Sequence, residues 1–245
     1  AVGYYVARNV QDELEVPIGL IGSNWGGTRI EPWIPPVGFK SVPALKTNFA
    51  DKLDEFPAKR GNGVNHQSPL ALYNGMIHPL LPYTIKGALW YQGESNNGEG
   101  MLYYEKKKAL INGWRDIWNN KKMPFYFVQL APYKYGGEPT RLAGIWQAQL
   151  ETLKVPHTGM AVTTDIGNIR DIHPRNKQEV GRRLALGQGV AIGVAKRRGC
   201  RAGRMRSTAA RWKVARNPFL SEIFFIGCRR LIPRRQRSRS LTSST

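Results

Sequence analysis

Asp171 and His173 place a carboxylate and an imidazole two positions apart in the stretch TDIGNIRDIHPRNK, Thr164–Lys177, within a loop bounded by Gly167 and Pro174. A neutral imidazole held by a nearby carboxylate is the proton-accepting half of a serine-hydrolase site. The other half, an activated serine, is not recognisable in the 245 residues. Ser23 lies in GSNWGG, which is not the G-x-S-x-G of a nucleophile elbow. Its hydroxyl is expected to bond its own loop, and Ser95 in QGESN is expected to brace the Gln92 loop. His66, His78 and His157 show no zinc-ligand spacing. His78, inside an apolar run, is expected in the core, and no metal ligand set is predicted.

The elements that must position such residues are legible as alternating periods. Tyr5, Val6, Val10 and Leu14 recur at helical spacing, and Pro17 stops that helix. Ile18–Ile21, Ile85–Tyr91, Pro124–Leu130 and Met160–Thr164 read as strands. Tyr103–Trp118, Arg141–Leu153 and Asn176–Ala185 read as helices, with the Lys106–Lys108 run expected on a solvated face. Residues 37–65 form an irregular excursion with one helical piece near Ala44–Leu53, and Leu70–Leu81 is helix or loop. Strands alternating with helices predict a mostly parallel sheet covered on both faces. Loops leaving the carboxyl ends of such strands share one edge. SNWGGT, QGESN and DIHP each follow a predicted strand, so they should meet there.

Composition divides the chain near Leu186. From Lys196 onward lie 15 of the 37 basic residues and one of the 17 acids, with both cysteines, Cys200 and Cys228. The preceding body has no cysteine, which excludes a disulfide scaffold or a thiolate metal site there. No apolar run approaches the roughly 20 residues of a membrane helix, so no membrane partner is expected. Ala1–Val16 lacks the charged start and apolar core of a secretory signal. The end, RRQRSRSLTSST, has the composition of a disordered segment. Its charge would suit a polyanion-binding arm, but no recognition motif accompanies it, so nucleic acid is not an expected partner. A frame change near residues 186–196 explains the break better.

SNWGGTRIEPW, YNGMIHPLLPYTIKGALWYQGESN and DIHPRNKQEVGRRLA, in that order, resemble the sialate O-acetylesterase family, carbohydrate esterases of the Ser-Gly-Asn-His hydrolase type. The resemblance covers residues 1–186 as a partial hydrolase domain, with 187–245 as a basic, disordered tail outside it. It implies an α/β fold: a three-layer, flavodoxin-like parallel sheet with helices on both faces. The family carries its nucleophile in a Gly-Gln-Ser-Asn motif after the first strand, upstream of WGGT. That motif is absent from this sequence, so an amino-terminally truncated member is expected, lacking the first strand and the nucleophile serine and therefore inactive as an esterase in this form.

By the same resemblance His173 is the general base. Asp171 is the nearest acid to orient it; the wider superfamily often leaves two residues between acid and histidine, a spacing that lands here on Arg170, so Asp165 at the strand end is the alternative. A backbone N–H of Gly26 or Gly27 and the side-chain amide of Gln92 would form the oxyanion hole. Trp25, Trp33, Glu94 and Asn96 would contact substrate, with the two tryptophans offering faces for a sugar ring. The implied substrates are acetyl esters of small sugars or oligosaccharides, on sialic acid or on xylan-type chains. The chemistry needs no cofactor, and the resemblance implies an exported parent protein. Two other classes stay open: a non-catalytic carbohydrate-binding remnant using the same pocket, and a polyanion binder acting through 196–245.

Overall fold

The computed structural model describes residues 1–60, 63–136, 140–191 and 222–227. Its main sheet holds five strands in the order β1-β7-β4-β5-β6. These are β1 (Gly19–Gly22), β4 (Gly87–Tyr91), β5 (Phe125–Val128), β6 (Thr158–Ala161) and β7 (Glu222–Gly227). A two-stranded hairpin, β2 (Lys59–Arg60) with β3 (Gly63–Val64), lies in the irregular excursion. Strands β4, β5 and β6 pair in parallel. Both β1 and β4 run antiparallel to β7, so β1 points the same way as β4. The parallel, doubly covered α/β architecture is therefore present.

Period-two alternation assigns the two faces. Ala88, Trp90, Phe125 and Phe127 enter one core, and Leu89, Tyr91, Tyr126 and Val128 enter the other. The second core is closed by α1 (Val2–Leu14) and α5 (Lys177–Ala191), through Val2, Val6 and Val10 and through Val180 and Leu184. Each set recurs four residues apart, which puts it on one helical stripe. The first core is closed by α2 (Pro36–Lys40), α3 (Leu102–Ile117) and α4 (Thr140–Glu151). Trp33, Trp90 and Trp114 are fully buried there, each contributing about 1.5–3 kcal/mol by burial. Gly113 permits the close approach of α3, since a Cβ there would fall 2.6 Å from Pro35.

Three expectations change. Lys106 and Lys107 are buried at 2% and 0% exposure, not solvated. Lys107 Nζ lies 3.3 Å from the Phe127 ring centroid, and burial pushes its pKa well below the ordinary lysine value. His78 is exposed, touching only the edge of Tyr73 among its ring neighbours, because a π turn at Tyr73–Ile77 swings it outward.

The third change concerns the tail. Helix α5 continues past Leu186 to Ala191, and Glu222–Gly227 is strand β7, in a segment whose composition reads as disordered. Strand β7 holds the place between β1 and β4, where backbone hydrogen bonding rather than charge decides membership of the sheet. Cys200, Cys228 and nearly all of the basic run lie outside the described residues. Among the described residues, no helix is long and apolar enough to cross a membrane.

Candidate active site

The loops after β1, β4, β5 and β6 all leave the same edge of the sheet, as their shared direction requires. In the loop after β1, Gly27 adopts φ +71°, a conformation that favours glycine. Its carbonyl accepts from Ser95 Oγ at 2.8 Å and from Gln67 Nε2 at 2.9 Å. The N–H groups of Gly26 and Gly27 have no acceptor among the described residues. Two adjacent unengaged amides at a fixed loop are what a developing oxyanion needs. Trp25 next to them is 46% exposed and stacks on His66 at 5.2 Å, so an aromatic face remains for substrate.

Gln92 does not serve as the second oxyanion donor. It is 1% exposed, and its Nε2 donates to the Thr28 carbonyl at 2.9 Å and to Asn96 Oδ1 at 2.8 Å. Its Oε1 accepts from the Tyr103 hydroxyl at 3.0 Å. Both amide hydrogens are committed, so Gln92 braces one loop against the other. Asn96, expected at substrate, is also buried: Oδ1 accepts from the Ile30 N–H at 3.0 Å, and Nδ2 donates to Glu31 at 3.1 Å. Trp33 is a core residue, with its indole N–H on Thr28 Oγ1 at 3.1 Å.

Beneath this brace lies a buried ion cluster. Lys106 Nζ meets Glu31 at 2.6 Å and Glu99 at 2.7 Å, and Arg29 pairs with both acids. Burial alone would raise the Glu31 carboxyl, but Lys106 and Arg29 hold it below its ordinary value. With every member paired, the cluster fixes the two loops without an uncompensated charge.

His173 is exposed at the same edge. Asp171 lies on the same loop: Oδ1 accepts the His173 backbone N–H at 3.0 Å, and Oδ2 meets Arg175 Nε at 3.3 Å. Asp171 thus shapes the loop that carries the imidazole. Asp165, the alternative acid, is paired with Arg183. Arg183 clamps both its oxygens at 2.6 and 2.5 Å, and that bond holds its pKa down to about 2.

The carboxyl that shares the electrostatic field of His173 from another loop is Glu94. Burial raises its pKa, and the nearby charges of Lys177 and His173 draw it partly back. Lys177 itself sits 4.6 Å above the Tyr91 ring and donates toward the Tyr91 hydroxyl at 3.5 Å.

Sequence reasoning missed Lys177 and the loop after β5. Tyr135 in that loop has a buried hydroxyl with no hydrogen-bond partner among the described residues, and burial with the nearby Glu94 charge raises its pKa. The signal was available, since a fourth predicted strand implies a fourth loop at the shared edge. Neither serine reaches an imidazole through its recorded bonds: Ser23 is buried with Oγ toward the Met76 carbonyl at 3.5 Å, and Ser95 is bound to Gly27.

Comparison with known proteins identifies the family. Residues 1–188 match the family described as carbohydrate esterase, sialic acid-specific acetylesterase. The chain is 37% identical over 207 residues to the sialate O-acetylesterase of Homo sapiens, covering 76% of this chain and 38% of that protein. It is 35% identical over 237 residues to that of Rattus norvegicus, covering 79% and 43%. A crystal structure of a carbohydrate acetylesterase from Xanthomonas citri superposes with a TM-score of 0.66 at 41% identity, covering 79% of this chain and 41% of that one. The chain spans about two fifths of the length of these relatives.

Proposed function

This chain belongs to the carbohydrate esterase family of sialic acid-specific acetylesterases, and from that premise we propose that it carries the base and the oxyanion cradle of an enzyme that removes acetyl groups from sugar hydroxyls by acyl transfer. His173 accepts the proton of the attacking hydroxyl. The attacking oxygen bonds to the acetyl carbon, and the negative charge formed on the carbonyl oxygen is met by the Gly26 and Gly27 N–H groups. His173 then returns the proton to the departing sugar oxygen. Water, deprotonated by the same imidazole, cleaves the acetyl-enzyme and frees acetate.

The observation that carries this reading is the meeting of three loops. Ser95 binds the Gly27 carbonyl, and its neighbour Glu94 lies in the field of His173. Trp25, with His66 behind it, supplies a sugar-stacking face.

The engaged hydroxyls of Ser23 and Ser95 support a finer reading. The nucleophile is not among the described residues, so the acetyl-enzyme step needs a hydroxyl from outside them. Hydrolases stripped of a triad member keep about 10³-fold catalysis over water from the oxyanion hole and binding. Acetate release from O-acetylated sialic acid and from acetylated xylo-oligosaccharide, followed by proton NMR, tests this. Slow release above the buffer rate, far below that of a full-length relative, is expected. Release no faster than buffer contradicts residual catalysis by the cradle and the base, and turnover equal to a full-length relative contradicts a nucleophile outside the described residues.

A further inference from the structure

Helix α5 opens with a cation in an unfavourable place. Asn176 caps the helix, with Oδ1 accepting the Glu179 N–H at 3.1 Å, and Lys177 is its first residue. The positive end of the helix dipole lies there and disfavours an ammonium. Lys177 is nonetheless half-buried, against the end of the sheet. Its Nζ stands 4.6 Å from the Tyr91 ring centroid and 3.5 Å from the Tyr91 hydroxyl. A cation over an aromatic face gains most where water is kept away, which offsets the poor position on the helix. Tyr91 is the last residue of β4 and is 6% exposed. The contact ties the end of the His173 loop to a fixed strand end, three residues before Glu94.

Glu94 faces that loop from the other side. It is half-buried, and its carboxylate accepts backbone N–H groups of its own turn, from Gly93 and Glu94, which fixes its direction. Lys177 and His173 are the groups of the facing loop whose charge favours its ionised form. Tyr103 of α3 and Tyr135 of the loop after β5 also face it, as phenols whose own ionisation it opposes. Lys177 thus acts twice at one place. Its contact with Tyr91 docks the loop, and its charge keeps Glu94 ionised against the pull of burial.

We propose that Lys177 is a positioning residue for His173, docking the imidazole's loop on Tyr91 so that the Glu94 carboxylate stabilises the imidazolium formed when His173 takes a proton. The proposal rests on the esterase reading and adds to it two groups that act through the base. A carboxylate facing an imidazole favours the protonated ring, which is the form the first proton transfer produces. Lys177 lies four residues after His173, and Glu94 three after Tyr91, so one contact sets the separation of base and carboxylate.

Carbon NMR of the Glu94 carboxyl in the full chain, assigned with Glu94→Gln, reads this coupling without any bond being cut. Lys177→Met keeps an apolar stem over Tyr91 and removes the charge, and His173→Ala removes the second cation. Each is expected to raise the Glu94 midpoint, and Lys177→Arg to keep it. Acetate release from O-acetylated sialic acid is the second readout. Lys177→Met and Glu94→Gln should each lower kcat by about 10–10²-fold at little-changed KM, the range a slightly misplaced base costs. Lys177→Arg should recover most of the loss, and the two losses should not add in the double variant. A Glu94 midpoint unmoved by Lys177→Met and by His173→Ala overturns the proposal, as does native kcat in Lys177→Met or in Glu94→Gln. Should Lys177→Met not fold, Glu94→Gln and His173→Ala still decide it. A native chain that releases no acetate ends residual catalysis as a reading, and the Glu94 titration then upholds or overturns the docking by itself.

Discussion

The Ser95 hydroxyl donates to the Gly27 carbonyl at 2.8 Å, joining the loop after β4 to the glycine turn after β1. Gln67 holds the same carbonyl from a third segment. The Gly26–Gly27 amides therefore keep their direction through bonds made behind them. Ser95→Ala removes one such bond, worth about 1 kcal/mol. A small drop in the urea midpoint is expected, with a larger proportional fall in acetyl transfer. Full activity in this variant would show that the serine does not position the cradle.

Gln92→Leu distinguishes a brace from an oxyanion donor. The change leaves the Thr28 carbonyl, Asn96 and Tyr103 short of partners in a buried place, at about 1–3 kcal/mol. Urea unfolding should shift to a lower midpoint at unchanged slope. A variant with native stability and reduced turnover alone would return Gln92 to the reacting oxygen.

Acid sensitivity should trace to the Asp165–Arg183 clamp. The folded pKa of Asp165 is held at about 2, below the ordinary 3.8. A depressed carboxyl contributes stability in full above its unfolded value and loses it as pH falls through the folded value. The stability gap between the native chain and Asp165→Asn should thus be present at pH 5 and close as pH approaches 2. Because Asp165 does not face His173, the pH profile of acetyl release near neutrality should be the same in both. A profile displaced in the variant would restore Asp165 as the orienting acid.

Strand β7 pairs on both sides, with Phe225 opposite Ile21 of β1 and Ala88 of β4. Proline lacks the N–H for such a ladder and is confined to edges. Phe225→Pro should lower the urea midpoint and expose two strand edges, read as aggregation on light scattering. Unchanged stability would place Glu222–Gly227 outside the sheet.

Those differences mark how far the sequence carries. Pro124–Leu130 was legible because a strand buried on both faces leaves an unbroken apolar run. The shared edge followed from alternation alone, and it brought Gly27, Glu94 and His173 together. Lys106–Lys108 was misread because charge normally marks a solvated face, whereas two acids from other loops, Glu31 and Glu99, neutralise Lys106 inside. Gln92 and Glu94 differ by two positions, yet one is committed inward and the other reaches the field of His173. The 3-10 turn at Glu94–Asn96 breaks the strand period there, and no pattern announces it. Strand β7 was hidden because it lies within Arg-rich sequence, where composition speaks against a core.

The role of His173 is tested most directly by supplying an attacker from solution. Hydroxylamine added to the full chain with an acetylated sugar gives acetohydroxamate, whose rate depends on a base at the cradle. His173→Ala should lower that rate by about 10²-fold or more, with the circular dichroism spectrum unchanged, since the imidazole is exposed. An equal rate in the native chain and in His173→Ala would contradict the account.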